Sequence, residues 1–417
     1  MLNFKTVAVA GGFAMCTLLP VVGSASNGLF ALGYGARQVG IAGGGVAFPQ
    51  DALIAAINPA GVVFVGEQME IDIQYFSPSR EYTVSGTPGG FPPFPGAAVE
   101  SDSENFFIPS FALSHVLDNK SSLGFAMYGN GGMNTDYASH DTPFGVGTFG
   151  GDHTGVNYAQ IFANLSYSRK FAEGHASWGV SAIFNYSYLR MDGLSGFANF
   201  SEDSSHLSDE GYDQAFGFGL RVGILGEVVP GITLAASYQT EIKNTFDDYK
   251  GLFTNSGEFD IPAIAQVGVA ADVGPGTFTL DIQQIQYSDV DAIGNTSASL
   301  LTGSKLGDSV GFGWGNMTVY KMGYTWEANN DWTWRVGASY GEQPIPDEEV
   351  TFSILATGVM EYHYTAGFSK KLESGSDINV ALMYAPEKCV KGADLFTPTN
   401  TVELCMDQFS VNAGYSF

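Results

Sequence analysis

The stretch Asp407-Gln408-Phe409-Ser410-Val411-Asn412-Ala413-Gly414-Tyr415-Ser416-Phe417 decides the fold. Successive side chains of a β-strand point to opposite faces, so Phe409, Val411, Ala413, Tyr415 and Phe417 share one side. Gln408, Ser410, Asn412, Gly414 and Ser416 share the other. One face is wholly apolar and the other uncharged and polar. A single strand of this kind suits a soluble sandwich packed on its core, or a barrel wall with lipid on one side and a wet lumen on the other. Recurrence of the pattern separates the two.

It recurs along the whole body of the chain. Period-two segments are predicted at 67 to 78, 105 to 116, 121 to 131, 157 to 171, 175 to 190, 212 to 228, 231 to 242, 259 to 273, 276 to 288, 316 to 328, 331 to 342, 359 to 372, 376 to 386 and 406 to 417. Their number is even, as a closed single-chain barrel of this kind requires. Trp332, Trp334, Val336, Ala338 and Tyr340 alternate with Thr333, Arg335, Gly337, Ser339 and Gly341, and Phe216, Phe218, Leu220, Val222 and Ile224 with Gly217, Gly219, Arg221 and Gly223. A soluble strand usually sets Lys and Glu on its polar face. Here that face is Gly, Ser, Thr and Asn, which suits a crowded interior. Long connections (79 to 104, 132 to 156, 191 to 211, 243 to 258, 289 to 315, 343 to 358, 387 to 405) alternate strictly with short ones, as the outer loops and periplasmic turns of membrane barrels do. The expected fold is all-β, a fourteen-stranded antiparallel transmembrane barrel over residues 67 to 417.

The beginning of the chain gives the compartment. Lys5 precedes an apolar run from 7 to 22 that closes on Gly23-Ser24-Ala25, the layout of a secretory signal cleaved after Ala25. Beyond it no uninterrupted apolar stretch of about 18 residues occurs, so any membrane crossing is by strands. Charged residues are only 14%, against about 25% in soluble domains, which fits strands with one face in lipid. The 43 acidic against 17 basic residues would repel phosphates, which speaks against nucleic acid as a partner. Cys389 and Cys405 flank the last long connection, placed either to form a disulfide in an oxidising compartment or to remain two free thiols. With no His beside them they make no metal site, and nothing in the sequence calls for a cofactor.

Residues 26 to 66 do not alternate. Small residues dominate, as in Gly40-Ile41-Ala42-Gly43-Gly44-Gly45, and the segment is too short to hold a core of its own. A piece of this size ahead of a barrel reads as a plug in its lumen. The small-residue stretch around Arg37 and Gly40 to Gly45, then Asp51-Ala52, then Asn58-Pro59-Ala60 just before the first strand, resembles the hatch of the FadL and TodX outer-membrane transporters. Trp334-Arg335-Val336-Gly337-Ala338-Ser339-Tyr340 and His363-Tyr364-Thr365-Ala366-Gly367 are similar to late strands of that family. The resemblance implies a monomeric barrel with a hatch, passing long-chain fatty acids or other hydrophobic molecules inward through the outer-membrane lipid without an energy source. It implies hatch or gating roles for Arg37, Asp51, Asn58, Pro59 and Ala60. It also implies a sideways exit at a kinked third strand, where Gly129, Gly131 and Gly132 lie; the other reading is that these glycines begin a loop.

Two sets of residues are candidates for ligand contact. Arg221, Lys321 and Arg335 point inward by the alternation, and a cation in a narrow lumen needs a partner: a hatch carboxylate such as Asp51, or a substrate carboxylate. Phe91, Phe94, Phe144 and Phe149, with Leu194, Phe197 and Phe253, stand in outer loops and either hold a greasy ligand or pack into a lid. Aromatic or alkane hydrocarbons are the alternative cargo. A general porin or a barrel lipase would be a different class. Gly337-Ala338-Ser339-Tyr340-Gly341 fits the Gly-x-Ser-x-Gly pattern, but that motif needs a strand-to-helix elbow and here falls inside a strand.

Overall fold

The computed structural model describes residues 26–87, 96–139, 141, 142 and 145–417. Fourteen long strands form one closed antiparallel barrel: β1 (Gln68–Ser85), β2 (Phe106–Val116), β3 (Ser121–Tyr137), β4 (Thr154–Phe171), β5 (Ala176–Asp192), β6 (Asp213–Val229), β7 (Ile232–Gln239), β8 (Ile264–Val273), β9 (Gly276–Ile285), β10 (Met317–Asn329), β11 (Trp332–Gly341), β12 (Tyr362–Lys371), β13 (Asp377–Ala393) and β14 (Thr401–Ser416). The terminal strand β14 pairs with β1 from Glu70↔Ser416 to Ser85↔Thr401, and that seam leaves no free edge.

All fourteen segments anticipated from the alternation are strands, but several run further than expected. β1 continues to Ser85, β3 to Tyr137 and β13 to Ala393, and β14 begins at Thr401. In these extensions the alternation changes meaning. On β1, Phe76, Pro78, Tyr82 and Val84 are buried inward while Ser79 is exposed outward. On β14, Val402, Leu404 and Met406 point inward while Glu403 and Asp407 alternate with them. Above the bilayer the outer face meets water and the inner face packs on loops, so apolar residues turn inward. Lower down, the inward face of the same strands is Glu70, Asp72 and Gln74, then Gln408, Ser410, Asn412 and Ser416, all buried. The bore is therefore greasy in its upper half and polar in its lower half.

In the membrane band the outward residues are the exposed ones: Phe216, Phe218, Leu220, Val222 and Ile224 on β6 and Tyr362 and Tyr364 on β12 among them. These are the side chains that lipid covers.

Cys389 and Cys405 form a disulfide. They lie on either side of the connection between β13 and β14, as expected from the sequence, and because both strands run further than expected they are direct cross-strand partners.

Residues 26 to 66 fold into short turns inside the ring: helix α1 (Gly35–Val39), a 3-10 turn (Ala52–Ala56), a second (Pro59–Gly61) and helix α2 (Val62–Val65). Nearly every residue from 26 to 63 is buried. Inward glycines of the wall make the room. A Cβ on Gly179 would lie 2.5 Å from the backbone of Pro59 and Ala60, and one on Gly337 2.5 Å from that of Ile41. Two of the short turns begin on side-chain caps, Asp51 accepting from the Leu53 amide at 3.0 Å and Asn58 from the Ala60 amide at 3.0 Å.

Candidate functional site: an arginine-lined cavity beside a break in the wall

The N-terminal segment is bolted to the lower wall by polar contacts. Arg37 pairs with Asp377 at 2.6 Å and also donates to Asn379 Oδ1 (3.0 Å), Ser416 Oγ (3.2 Å) and the Gln50 carbonyl (2.6 Å). Asp72 accepts from the Ala36 amide at 2.8 Å. The Asn58-Pro59-Ala60 turn is held on the other side of the lumen. Asn58 Nδ2 donates to the carbonyls of Val46 (2.9 Å) and Ile224 (3.4 Å), and the Ala60 carbonyl accepts from Ser177 (2.6 Å) and Ser168 (3.0 Å). Asp51 caps its turn and forms no ion pair among the described residues. Burial raises its carboxyl above the ordinary range, against the pull of Arg37 and Arg335.

The three inward cations singled out in the sequence are all buried and are taken up by neutral groups. Arg221 donates to Gln239 and to Tyr128 Oη (3.4 Å). Lys321 donates to the carbonyls of Leu32 (3.1 Å) and Gly43 (3.2 Å). Arg335 donates to Gln50 Oε1 (2.7 Å) and Ser369 Oγ (2.7 Å). Two of the three thus hold on to the N-terminal segment itself.

A fourth buried arginine was missed, because its position fell in a stretch read as loop. Arg80, on the upper part of β1, is 5% exposed. It donates through Nη1 to the Asn134 carbonyl and lies 5.7 Å from the centre of the Phe106 ring. Among the described residues its Nε and Nη2 are buried without a hydrogen-bond partner and it forms no ion pair. Buried guanidinium donors left unsatisfied are costly. Arg80 lines a cavity whose other walls include Leu29, Phe76, Phe106, Met133, Trp314 and Met406. At about 20 Å³ it has room for little more than one water molecule, so any larger occupant must displace one of its walls. The signal was present in the sequence: Phe76, Pro78, Tyr82 and Val84 keep the period through Arg80.

One wall is the start of the N-terminal segment, which covers a break in the barrel. Pairing of β2 with β3 stops at Ser110↔Tyr128. Pro109 follows on β2, with no amide to donate, and Asn130 on β3 is the extra residue of a bulge between Gly129 and Gly131. Gly129, Gly131 and Gly132 are thus inside β3 and not in a loop. Residues 29 to 31 supply the backbone partners that β2 does not: Ala31 N donates to the Asn130 carbonyl (3.1 Å) and Gly132 N to the Leu29 carbonyl (2.9 Å). A Cβ on Gly131 would lie 2.0 Å from the Leu29 carbonyl oxygen, so only glycine admits this pairing.

Tyr287 pins that cover. Its hydroxyl donates to the Asn27 carbonyl at 2.5 Å and accepts from the Leu29 amide at 2.7 Å. Burial pushes the phenol above its ordinary range, so the proton stays on as donor. Tyr287→Phe removes two bonds of about 1 kcal/mol each. Amide exchange at residues 27 to 31 is expected to quicken roughly tenfold or more. Unchanged protection there would mean that Tyr287 does not hold the segment.

Above the cavity the outer loops form a packed lid. Phe149, 5.2 Å from Phe197, joins a cluster with Phe352 and Phe396; Phe91, Phe94 and Phe144 lie outside the described residues. Within the lid, Leu194, Leu252, Phe253, Leu306, Val310 and Phe352 line a small apolar cavity. Ser339 stands mid-strand on β11 with its Oγ 3.2 Å from His363 Nδ1, and Gln408 lies 3.1 Å from the other ring nitrogen. No elbow presents this serine, which is buried.

The fold is similar to the crystal structure of a Pseudomonas aeruginosa FadL homologue, at a TM-score of 0.70 and 15% identity over 94% of this chain and 99% of that one. It is likewise similar to the P. putida toluene transporter TodX (TM-score 0.67, 17% identity, 92% and 98% covered) and the Ralstonia pickettii toluene transporter TbuX (0.63, 17%, 92% and 98%). No curated protein sequence matches. The family model described as outer membrane protein transport protein (OMPP1/FadL/TodX) matches residues 22–402. The chain therefore belongs to this family of outer-membrane transporters of hydrophobic compounds, which work as passive channels and not as enzymes.

Proposed function

We propose that the cargo is a long-chain amphiphile with a carboxylate head, a fatty acid, and that residues 26 to 66 act as the hatch of the barrel. The observation that carries this reading is Arg80: a buried cation, with two donors unpartnered among the described residues, lining an otherwise largely apolar cavity. A carboxylate would satisfy those donors in the bidentate manner of arginine, and an acyl chain would lie against Phe76, Phe106, Met133 and Met406. The lid cavity around Leu252, Phe253 and Leu306 suits first capture of the apolar tail. Sideways release past residues 29 to 31, at the break between β2 and β3, keeps the tail out of the polar lower bore.

Neutral hydrocarbons are the second reading, favoured by the apolar lid cavity. The two are separated by binding of oleate and toluene to the detergent-purified protein and to Arg80→Gln. A hydrogen bond to a charged group is worth about 1.5–3 kcal/mol, so the variant is expected to bind oleate roughly 10- to 100-fold more weakly and toluene no more weakly than before. Equal loss for both ligands, or no loss of oleate binding, would overturn the fatty-acid reading.

A further inference from the structure

The single side-chain hydrogen bond that Arg80 makes among the described residues crosses the break in the wall. Arg80 is on β1; its acceptor, the Asn134 carbonyl, is on β3, two strands away. The last pair between β1 and β2 is Phe76↔Phe106, so at the level of Arg80 β2 has already ended. Just above, residues of the returning loop complete the bridge. Ser101 N donates to the Arg80 carbonyl at 2.9 Å, Asp102 N to the Asp136 carbonyl at 2.7 Å, and Asp136 N to Ser101 Oγ at 3.0 Å. Below, the stretch of β3 from Gly129 to Asn134 has no ladder partner on β2. The guanidinium is therefore the one side-chain hydrogen-bond tie from β1 to that stretch among the described residues, and the same residue lines the cavity with two donors left unpartnered among those residues.

We propose that Arg80 determines specificity at the release step: capture of an anionic head group draws the guanidinium off the Asn134 carbonyl and so frees β3 to part from β2. This rests on the reading of Arg80 as the carboxylate anchor. A carboxylate is a stronger acceptor for arginine than a neutral carbonyl, so a head group gripped by Nε and Nη2 turns the rigid guanidinium plane toward itself and pulls Nη1 away from the Asn134 carbonyl. A neutral hydrocarbon offers the guanidinium nothing and leaves the tie in place. Selection is thus made twice, once by affinity and once by which occupants can open the wall.

Hydrogen exchange over residues 129 to 135 of the wild-type protein tests this directly, with oleate, with toluene and with neither. Oleate at saturation is expected to speed exchange there about tenfold or more, the effect of losing one charge-assisted hydrogen bond, while saturating toluene leaves it unchanged. In Arg80→Gln the segment exchanges fast without ligand, and reconstituted vesicles take up toluene faster than with wild type. Oleate that binds through Arg80 yet leaves exchange unchanged, or speeds it no more than toluene does, overturns the tie while the cargo assignment stands. Oleate affinity that does not depend on Arg80 removes the anchor and the tie together.

Discussion

Gly179→Val is expected to unseat the N-terminal segment and leave a conducting barrel. Gly179 faces inward on β5, and a Cβ there would lie 2.5 Å from the Ala60 nitrogen and the Pro59 carbonyl carbon. Both are backbone atoms, so no side-chain rotation relieves the clash. In an ordinary strand the exchange of Gly for a β-branched residue is favourable, by up to about 1 kcal/mol. Overpacking of a filled interior costs about 1–3 kcal/mol and sometimes more, and here the added group is larger than a methyl. The second effect wins, and the least costly relief is to move the Asn58-Pro59-Ala60 turn, which releases the bonds from Ser168 and Ser177 to the Ala60 carbonyl. Planar-bilayer recordings should show steady conductance where wild type shows little. A variant as closed and as heat-stable as wild type would mean that the segment does not seal the bore.

Arg37→Met is expected to loosen the other half of the segment. The substitution strands Asp377, Asn379 and Ser416 together with the Gln50 carbonyl. Removing one partner of a buried pair costs about 3–5 kcal/mol. Asp377 retains some contact with water, its side chain being 28% exposed, so the loss belongs at the lower end of that range. Adding Asp377→Asn should recover part of it, because the orphaned charge goes too. Denaturant unfolding of the two single variants and the double variant, with protease cleavage within residues 26 to 66 as a local readout, gives the coupling. Strictly additive losses would show that the pair carries no interaction of its own.

The barrel was legible because lipid imposes a simple rule on outward residues, and Trp334, Val336, Phe216 and Phe218 obey it. The rule lapses above the bilayer. There Pro78, Tyr82 and Val84 face inward against the lid, so the top of β1 reads as loop to anyone seeking apolar residues outside, and Arg80 was lost with it. The same inversion put Cys389 and Cys405 in a connection when they are strand neighbours. At Arg221, Lys321 and Arg335 the inward direction was readable from their apolar neighbours. What they bind was not, because Gln50, Leu32 and Gly43 come from far away in the chain and contribute mostly backbone or amide oxygens, which leave no mark in a charge pattern. The bulge at Asn130 shows in sequence only as glycines, which are equally common where a strand stops.

The change from an oily to a watery interior part-way down has a consequence for energetics. Each methylene carried from hydrocarbon into an aqueous setting forfeits about 0.8 kcal/mol, so a long tail sent straight through the lower channel faces a steep uphill climb. On the proposed route the tail never leaves an oil-like medium, and its descent is nearly level. Such a route delivers its cargo at a depth fixed by the bilayer, and with no energy source its direction follows the concentration difference across the wall.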